Sequence, residues 1–155
     1  MDIKSGKTYP AGALSNFAPH PFVFRGHEVN SMEGFLQGLK FKSAEMQLEI
    51  FKKVGVGAKR AGAKKNWQTT QTLWYQGEPI KRESNEYQDI LDEAYNAMFD
   101  QNEKARKALI ATQNAVLKHS IGRTNQNETV LTVREFCGRL MNIRDRIRAQ
   151  EFIEL

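Results

Sequence analysis

The stretch "NSMEGFLQGLKF", residues 30–41, reads as a helix with one polar edge. Glu33, Gln37 and Lys40 are spaced four and three residues apart, so a period of 3.6 residues aligns them in one stripe. Leu36 and Phe41 flank that stripe, and Met32, Phe35 and Leu39 supply the adjoining apolar face. Asn30 with Glu33 three residues later fits a capping box, so Glu33 has an ordinary role open to it, closing its own helix. Gly34 and Gly38 each cost roughly 1 kcal/mol relative to alanine inside a helix. Close approach of another backbone, or of a ligand, would offset that cost. By pattern alone the capped core helix is the simpler reading, and one wall of a binding site is the sharper one.

Outward from this helix the elements are short. Residues 1–21 hold three of the four prolines and little periodicity, and read as loop. "PFVFRGHEV" predicts two short strands around Arg25-Gly26, and "QTLWYQGEPIKR" a hairpin turning near Gln76-Gly77. "SAEMQLEIFKKVG" predicts a second amphipathic helix, stopped by Gly55 and Gly57, with the Gly-rich "GVGAKRAG" as its terminus. Tyr87, Ile90, Leu91, Ala94, Tyr95, Met98 and Phe99 form one helical face after Ser84. "DQN" breaks that helix, and the next turns Ala105, Ala108, Leu109, Thr112 and Val116 inward. Residues 120–129, "SIGRTNQNET", are a polar loop. Thr132 and Glu135 form a second capping box ahead of a last helix that buries Phe136, Leu140, Ile143 and Ile147. The expected fold is α+β and predominantly helical, with short β-hairpins, in one compact domain over residues 1–155.

A chain of 155 residues is close to the roughly 150 expected for one domain. No apolar run approaches the length of a membrane span, and "MDIKSGKTYP" has no apolar core of a secretory signal. Cys137 is the only cysteine, which excludes an intrachain disulfide and fits a reducing cytoplasm without membrane partners. The net charge of +5 is compatible with phosphate-bearing partners. Basic residues gather in "AKRAGAKKNW", residues 58–67, and in Arg134, Arg139, Arg144, Arg146 and Arg148; solvated surface is the default reading of both. His20, His27 and His119 form no HxxxH pair, and no P-loop or nucleophile elbow occurs. Neither a metal nor a cofactor is expected. Cys137 reads as a small core residue.

Three stretches in order carry a family resemblance. "LSNF" at 14–17, "PFVFRGHEV", and "SMEGFLQGLKF" resemble the opening of the NADAR family, also called YbiA-like. That opening has a Ser-Asn-Phe loop, a short strand pair and a helix reading Ser-Glu-His-Tyr-Phe-Gln-Ala-Gln-Lys-Phe. The matching positions are Ser15, Asn16 and Phe17, then Glu33, Phe35, Gln37, Lys40 and Phe41. "AMFDQNEKARKALIATQNAVLKHS" resembles the family's paired helices, and "GRLMNIRDRI" its closing Leu-Met-x-x-Arg helix. The chain departs from the pattern in three places. Gly34 stands where the family has His, and Val29-Asn30 where it has Trp-Pro. "SIGRTNQNETVLTVREFCGR" replaces the late Trp-Gly and Gly-Asn-x-Leu-Gly motifs. The pattern resembles a divergent, phage-encoded branch, which would act in the host cytoplasm.

The resemblance implies hydrolysis of N-glycosidic bonds, either of riboflavin-pathway intermediates or between ADP-ribose and a modified guanine, so an N-riboside and nucleic acid are the implied partners. Cleaving the C1′–N bond builds positive charge on the ribose, by analogy with O-glycoside hydrolysis. Glu33 would stabilise that charge and activate water, with burial raising its pKa and a lysine opposing the rise. Lys40 would clamp the carboxylate, contact ribose hydroxyls, or form a Schiff base. Ser15, Asn16, Phe17 and Gln37 would bind substrate, and Trp67, with Trp74 and Tyr75, would stack on a base unless these are core aromatics. A catalytically silent nucleotide- or nucleic-acid-binding protein on the same fold is the competing reading, and a structural interaction protein the plainest one.

Overall fold

The computed structural model describes residues 1–154. Among the described residues, two separate antiparallel hairpins are set among six α-helices, and a short 3-10 turn at Gly12–Leu14 interrupts the N-terminal loop. Strands β1 (Phe22–Phe24) and β2 (His27–Val29) pair first, followed by helices α1 (Met32–Gly38), α2 (Ala44–Phe51) and α3 (Gly55–Ala63). Strands β3 (Thr72–Tyr75) and β4 (Glu78–Lys81) form the second hairpin, and α4 (Asn85–Gln101), α5 (Glu103–Ala111) and α6 (Val133–Glu154) complete the chain.

Both hairpins turn where the sequence places them. Arg25-Gly26 and Gln76-Gly77 each have two successive positive φ angles (48° and 83°, 48° and 87°). Two-residue loops of this kind match the twist of the flanking strands. The register sets Phe22 opposite Val29 and Leu73 opposite Ile80, and all four side chains enter the core.

The glycines of α1 serve helix packing. A Cβ on Gly34 would lie 2.5 Å from the Lys53 carbonyl oxygen and 2.9 Å from those of Ile50 and Phe51. A Cβ on Gly38 would lie 2.5 Å from the Phe51 ring. The start of α1 thus runs against the end of α2, whose last carbonyls need donors. The Asn30 N–H donates to Phe51 O (2.9 Å), the Asn30 amide to Lys52 O (2.9 Å) and the Ser31 hydroxyl to Lys53 O (2.9 Å).

This contact corrects the capping expectation. Ser31, not Asn30, caps α1, its Oγ accepting from Gly34 N–H at 3.0 Å. Asn30 is occupied by α2, and Glu33 closes no turn: its N–H donates to Asn16 O (3.0 Å) while its carboxylate accepts from Gln37. The second capping box forms as read, with Thr132 N–H donating to Glu135 Oε1 (2.7 Å) and Glu135 N–H to Thr132 Oγ1 (3.1 Å).

The core face read for α4 is buried throughout, as are Phe136, Leu140, Ile143 and Ile147 of α6 and Cys137. Asn102 ends α4 and caps α5, its side chain accepting from Ala105 N–H at 3.0 Å. Two expectations fail. "GVGAKRAG" is not the terminus of α2 but a helix of its own, α3, in which only Ala58 and Gly62 are buried, so it carries no apolar stripe to read. Val116 is exposed rather than inward, because α5 ends at Ala111 and Gln113 takes a φ of 54°, which breaks the helical register before it.

Candidate functional site

A cavity of about 350 Å³ lies beside α1. Its first wall comes from the N-terminal half: Ser15, Asn16 and Phe17, then Glu33, Leu36 and Gln37, with Lys59 of α3 alongside. Its second wall is the segment between α5 and α6, which supplies His119, Ile121, Arg123, Val130 and Leu131 among others.

The first wall is fixed by short bonds between neighbours. The bond from Glu33 N–H to Asn16 O fastens the 15–17 loop to the first turn of α1. Tyr95, fully buried on α4, donates its hydroxyl to Asn16 Oδ1 at 2.8 Å, which leaves the amide NH₂ as the donor Asn16 brings to the cavity. Burial pushes the Tyr95 phenol well above its ordinary pKa, so the hydroxyl stays a donor. Gln37 donates to Glu33 Oε1 at 3.0 Å across one helical turn.

Burial raises the pKa of Glu33; the hydrogen bond from Gln37 and the charges of Lys40 and Lys59 oppose the rise without cancelling it. Lys40 moves the other way, lowered by burial and supported by Glu33. For each group burial outweighs the partner's charge, so the shift follows desolvation.

Lys40 does not line the cavity. Its Nζ reaches the Gly62 carbonyl of α3 at a long 3.5 Å. Gly62 also serves Gln37: a Cβ there would fall 1.9 Å from Gln37 Oε1. That oxygen is buried without a hydrogen-bond partner among the described residues, so the Gln37 amide is committed to Glu33 through its nitrogen.

Five residues expected at a site therefore meet around one cavity: Ser15, Asn16, Phe17, Glu33 and Gln37. Trp67 is a correction. It is 3% exposed, packed in the hydrophobic core, and lines no part of the cavity. Trp74 and Tyr75 are likewise away from it. The Trp74 N–H donates to Leu39 O (2.7 Å), and Tyr75 packs edge-on against Phe24 beneath the Arg25 guanidinium.

Lys59, His119, Ile121 and Arg123 are among the cavity residues that sequence reading missed as site residues. Lys59 was visible only as one charge of the 58–67 cluster, because α3 was not recognised. His119 Nδ1 lies 2.6 Å from Ile3 O; a carbonyl only accepts, so Nδ1 carries the hydrogen and Nε2 is free to accept or, when charged, donate. In the other basic cluster Arg134 is exposed and three of the others brace the fold. Arg139 pairs with Asp92 and bonds Gln88, Arg144 donates to Thr112 Oγ1 and Ala115 O, and Arg146 pairs with Asp100. Among the described residues no group of three His, Cys, Asp or Glu side chains is placed to hold a metal ion, and no helix is long and apolar enough to cross a membrane.

Comparison with known proteins places the family and the fold. A family model described as bacteriophage protein GP30.3 matches residues 8–145. The chain belongs to that family. An uncharacterized 17.1 kDa protein from the Gp30-rIII intergenic region of Enterobacteria phage T4 is 40% identical over 147 residues, which cover 94% of this chain and 97% of that one. The NMR structure of the E. coli protein YbiA matches with a TM-score of 0.65 at 20% identity, over 97% of this chain and 84% of that chain. The YbiA-like fold expected from the sequence is thus the fold observed.

Proposed function

We propose that this GP30.3-family chain is a metal-independent N-glycosidase that hydrolyses a ribose–base bond, with ADP-ribose on a modified guanine as its substrate, and that it works in the cytoplasm of an infected host. The observation that carries the proposal is Glu33. It is a half-buried carboxylate, oriented by Gln37, in the wall of a cavity of about 350 Å³, with its pKa raised by burial.

In this reading Glu33 takes a proton from the attacking water and faces the charge that develops on the ribose. It must be ionised to do so, so turnover rises with pH through its elevated pKa. Asn16 and Ser15 meet sugar hydroxyls, and Phe17 packs beside them. Lys40 acts on Glu33 by charge from behind the wall; its place at the Gly62 carbonyl favours this role over Schiff-base attack. Lys59 and Arg123, both at the cavity, are suited to the pyrophosphate. His119 is a candidate to protonate the departing base.

The test is incubation of purified protein with DNA carrying ADP-ribosylated guanine, following free ADP-ribose by mass spectrometry. Release is expected, and it should fall with added salt more steeply on DNA than on the free nucleoside adduct. Cleavage of a riboflavin precursor alone would move the substrate to that pathway. No cleavage of either, with ADP-ribose still bound, would establish the silent-binder reading. Two departures from the related family favour that alternative: Gly34 stands where the family has His, and the late Trp-Gly and Gly-Asn-x-Leu-Gly motifs are missing.

A further inference from the structure

The second cavity wall, residues 119–131, contains no helix or strand. Its backbone is held instead by side chains from distant parts of the chain. Arg82, directly after β4, is 0% exposed. Its Nε donates to Thr129 O at 3.0 Å, and its two terminal nitrogens grip Glu135 at 3.0 and 2.6 Å. The guanidinium carbon lies 4.7 Å from the centre of the Tyr87 ring. Tyr87 is fully buried on α4 and donates its hydroxyl to Val130 O at 2.5 Å. Glu135 completes the group by accepting from Thr132 N–H at 2.7 Å. Three anchor points, at 129, 130 and 132, are thus taken by polar side chains: fully buried Arg82 and Tyr87 reach in from distant parts of the chain, and Glu135 closes the start of α6. Two of the anchored residues, Thr129 and Val130, line the cavity.

We infer that Arg82, Tyr87 and Glu135 are positioning residues. They set the place of the second wall, and with it Arg123, relative to Glu33 on the first. None of the three lines the cavity, so their effect on a ligand passes through the wall they hold. The functional half of this inference rests on the glycosidase reading above; the structural half does not.

The distinguishing variant is Tyr87→Phe, which keeps the ring over Arg82 and removes only the bond to Val130 O. Arg82→Lys is its companion, keeping charge but losing the paired grip on Glu135 and the bond to Thr129 O. Hydrogen exchange of the 120–131 amides is measured beside that of α1, together with melting temperature and kcat and KM on the ADP-ribosylated DNA. In Tyr87→Phe the 120–131 amides should exchange about tenfold faster, as expected for one lost buried hydrogen bond, while α1 is unchanged. KM should rise by a similar factor with kcat within about twofold, because Glu33 stands on the other wall and His119 is held by its own bond to Ile3 O rather than by Tyr87. Unchanged exchange in both variants would overturn the clamp. Faster exchange with unchanged KM and kcat would overturn its positioning role. If the wild-type protein turns over no substrate, the glycosidase reading fails, and exchange together with the affinity for ADP-ribose decides the clamp by the same two criteria.

Discussion

The two walls of the cavity are built in opposite ways. The first is built on a regular element, with the 15–17 loop fastened to it: α1 lies close on α2 through Gly34 and Gly38, and its polar stripe follows from helical spacing. The second has no regular structure and is held by buried ions and a phenol reaching in from β4, α4 and α6. One wall is held by shape, the other by charge. The difference shows in two carboxylates. Burial raises the pKa of Glu33. Burial would also raise that of Glu135, but the hydrogen bonds from Arg82, Gln88 and Thr132 outweigh it and hold Glu135 below its ordinary value.

Removing one partner of the buried pair should produce the largest stability change. Arg82→Met leaves Glu135 without its guanidinium and Thr129 O without its donor, which should cost about 3–5 kcal/mol in urea denaturation. A loss under about 1 kcal/mol would mean that the second wall is not held by charge.

Steric substitutions should separate backbone from side chain on the first wall. Gly34→Ala forces a Cβ against the Lys53 carbonyl, where backbone must move, so a loss of about 1–3 kcal/mol is expected. Gly62→Ala meets the Gln37 side chain rather than backbone, most closely at its Oε1. It should cost less stability while breaking the hold of Gln37 on Glu33, and so should lower turnover more than melting temperature. Equal stability losses from both would erase the distinction.

The smallest effect is the pH dependence of stability, and its sign differs between the walls. Glu33 has a raised folded pKa, so its contribution is fully present below the unfolded pKa and is lost as pH rises through the folded value. Glu135 has a lowered folded pKa, so its contribution is present above the unfolded pKa and is lost as pH falls through the folded value. Relative to wild type, Glu33→Gln should therefore become more favourable from acid to neutral pH, and Glu135→Gln less favourable. Denaturation midpoints of both variants across that range test the pair of signs.

This contrast also explains what could be read from the sequence. The polar stripe of α1, both hairpin turns, the α4 face and the Thr132–Glu135 box each depend on spacing within a few residues. Helix α3 escaped because its buried positions are an alanine and a glycine, and Lys59 escaped with it. Asn30 reads as the cap of α1 because nothing local shows that its amide and N–H are taken by carbonyls at the end of α2. Trp67 looked available for stacking because nothing local shows that an aromatic is enclosed. The second wall was illegible for the same reason: Arg82 and Thr129 are 47 residues apart, and no local pattern announces their bond.

The central claim, that Glu33 is the working carboxylate of the cavity, is tested most directly by Glu33→Gln. The measurement is the rate of ADP-ribose release from ADP-ribosylated guanine DNA by wild type and variant, with melting temperatures recorded on the same preparations. The amide keeps the shape of the side chain and Glu33 caps no helix end, so the melting temperature should shift by no more than about 2 °C. Release should fall by about a hundredfold or more with loss of the ionised base. Full turnover in a stably folded Glu33→Gln protein would contradict the account.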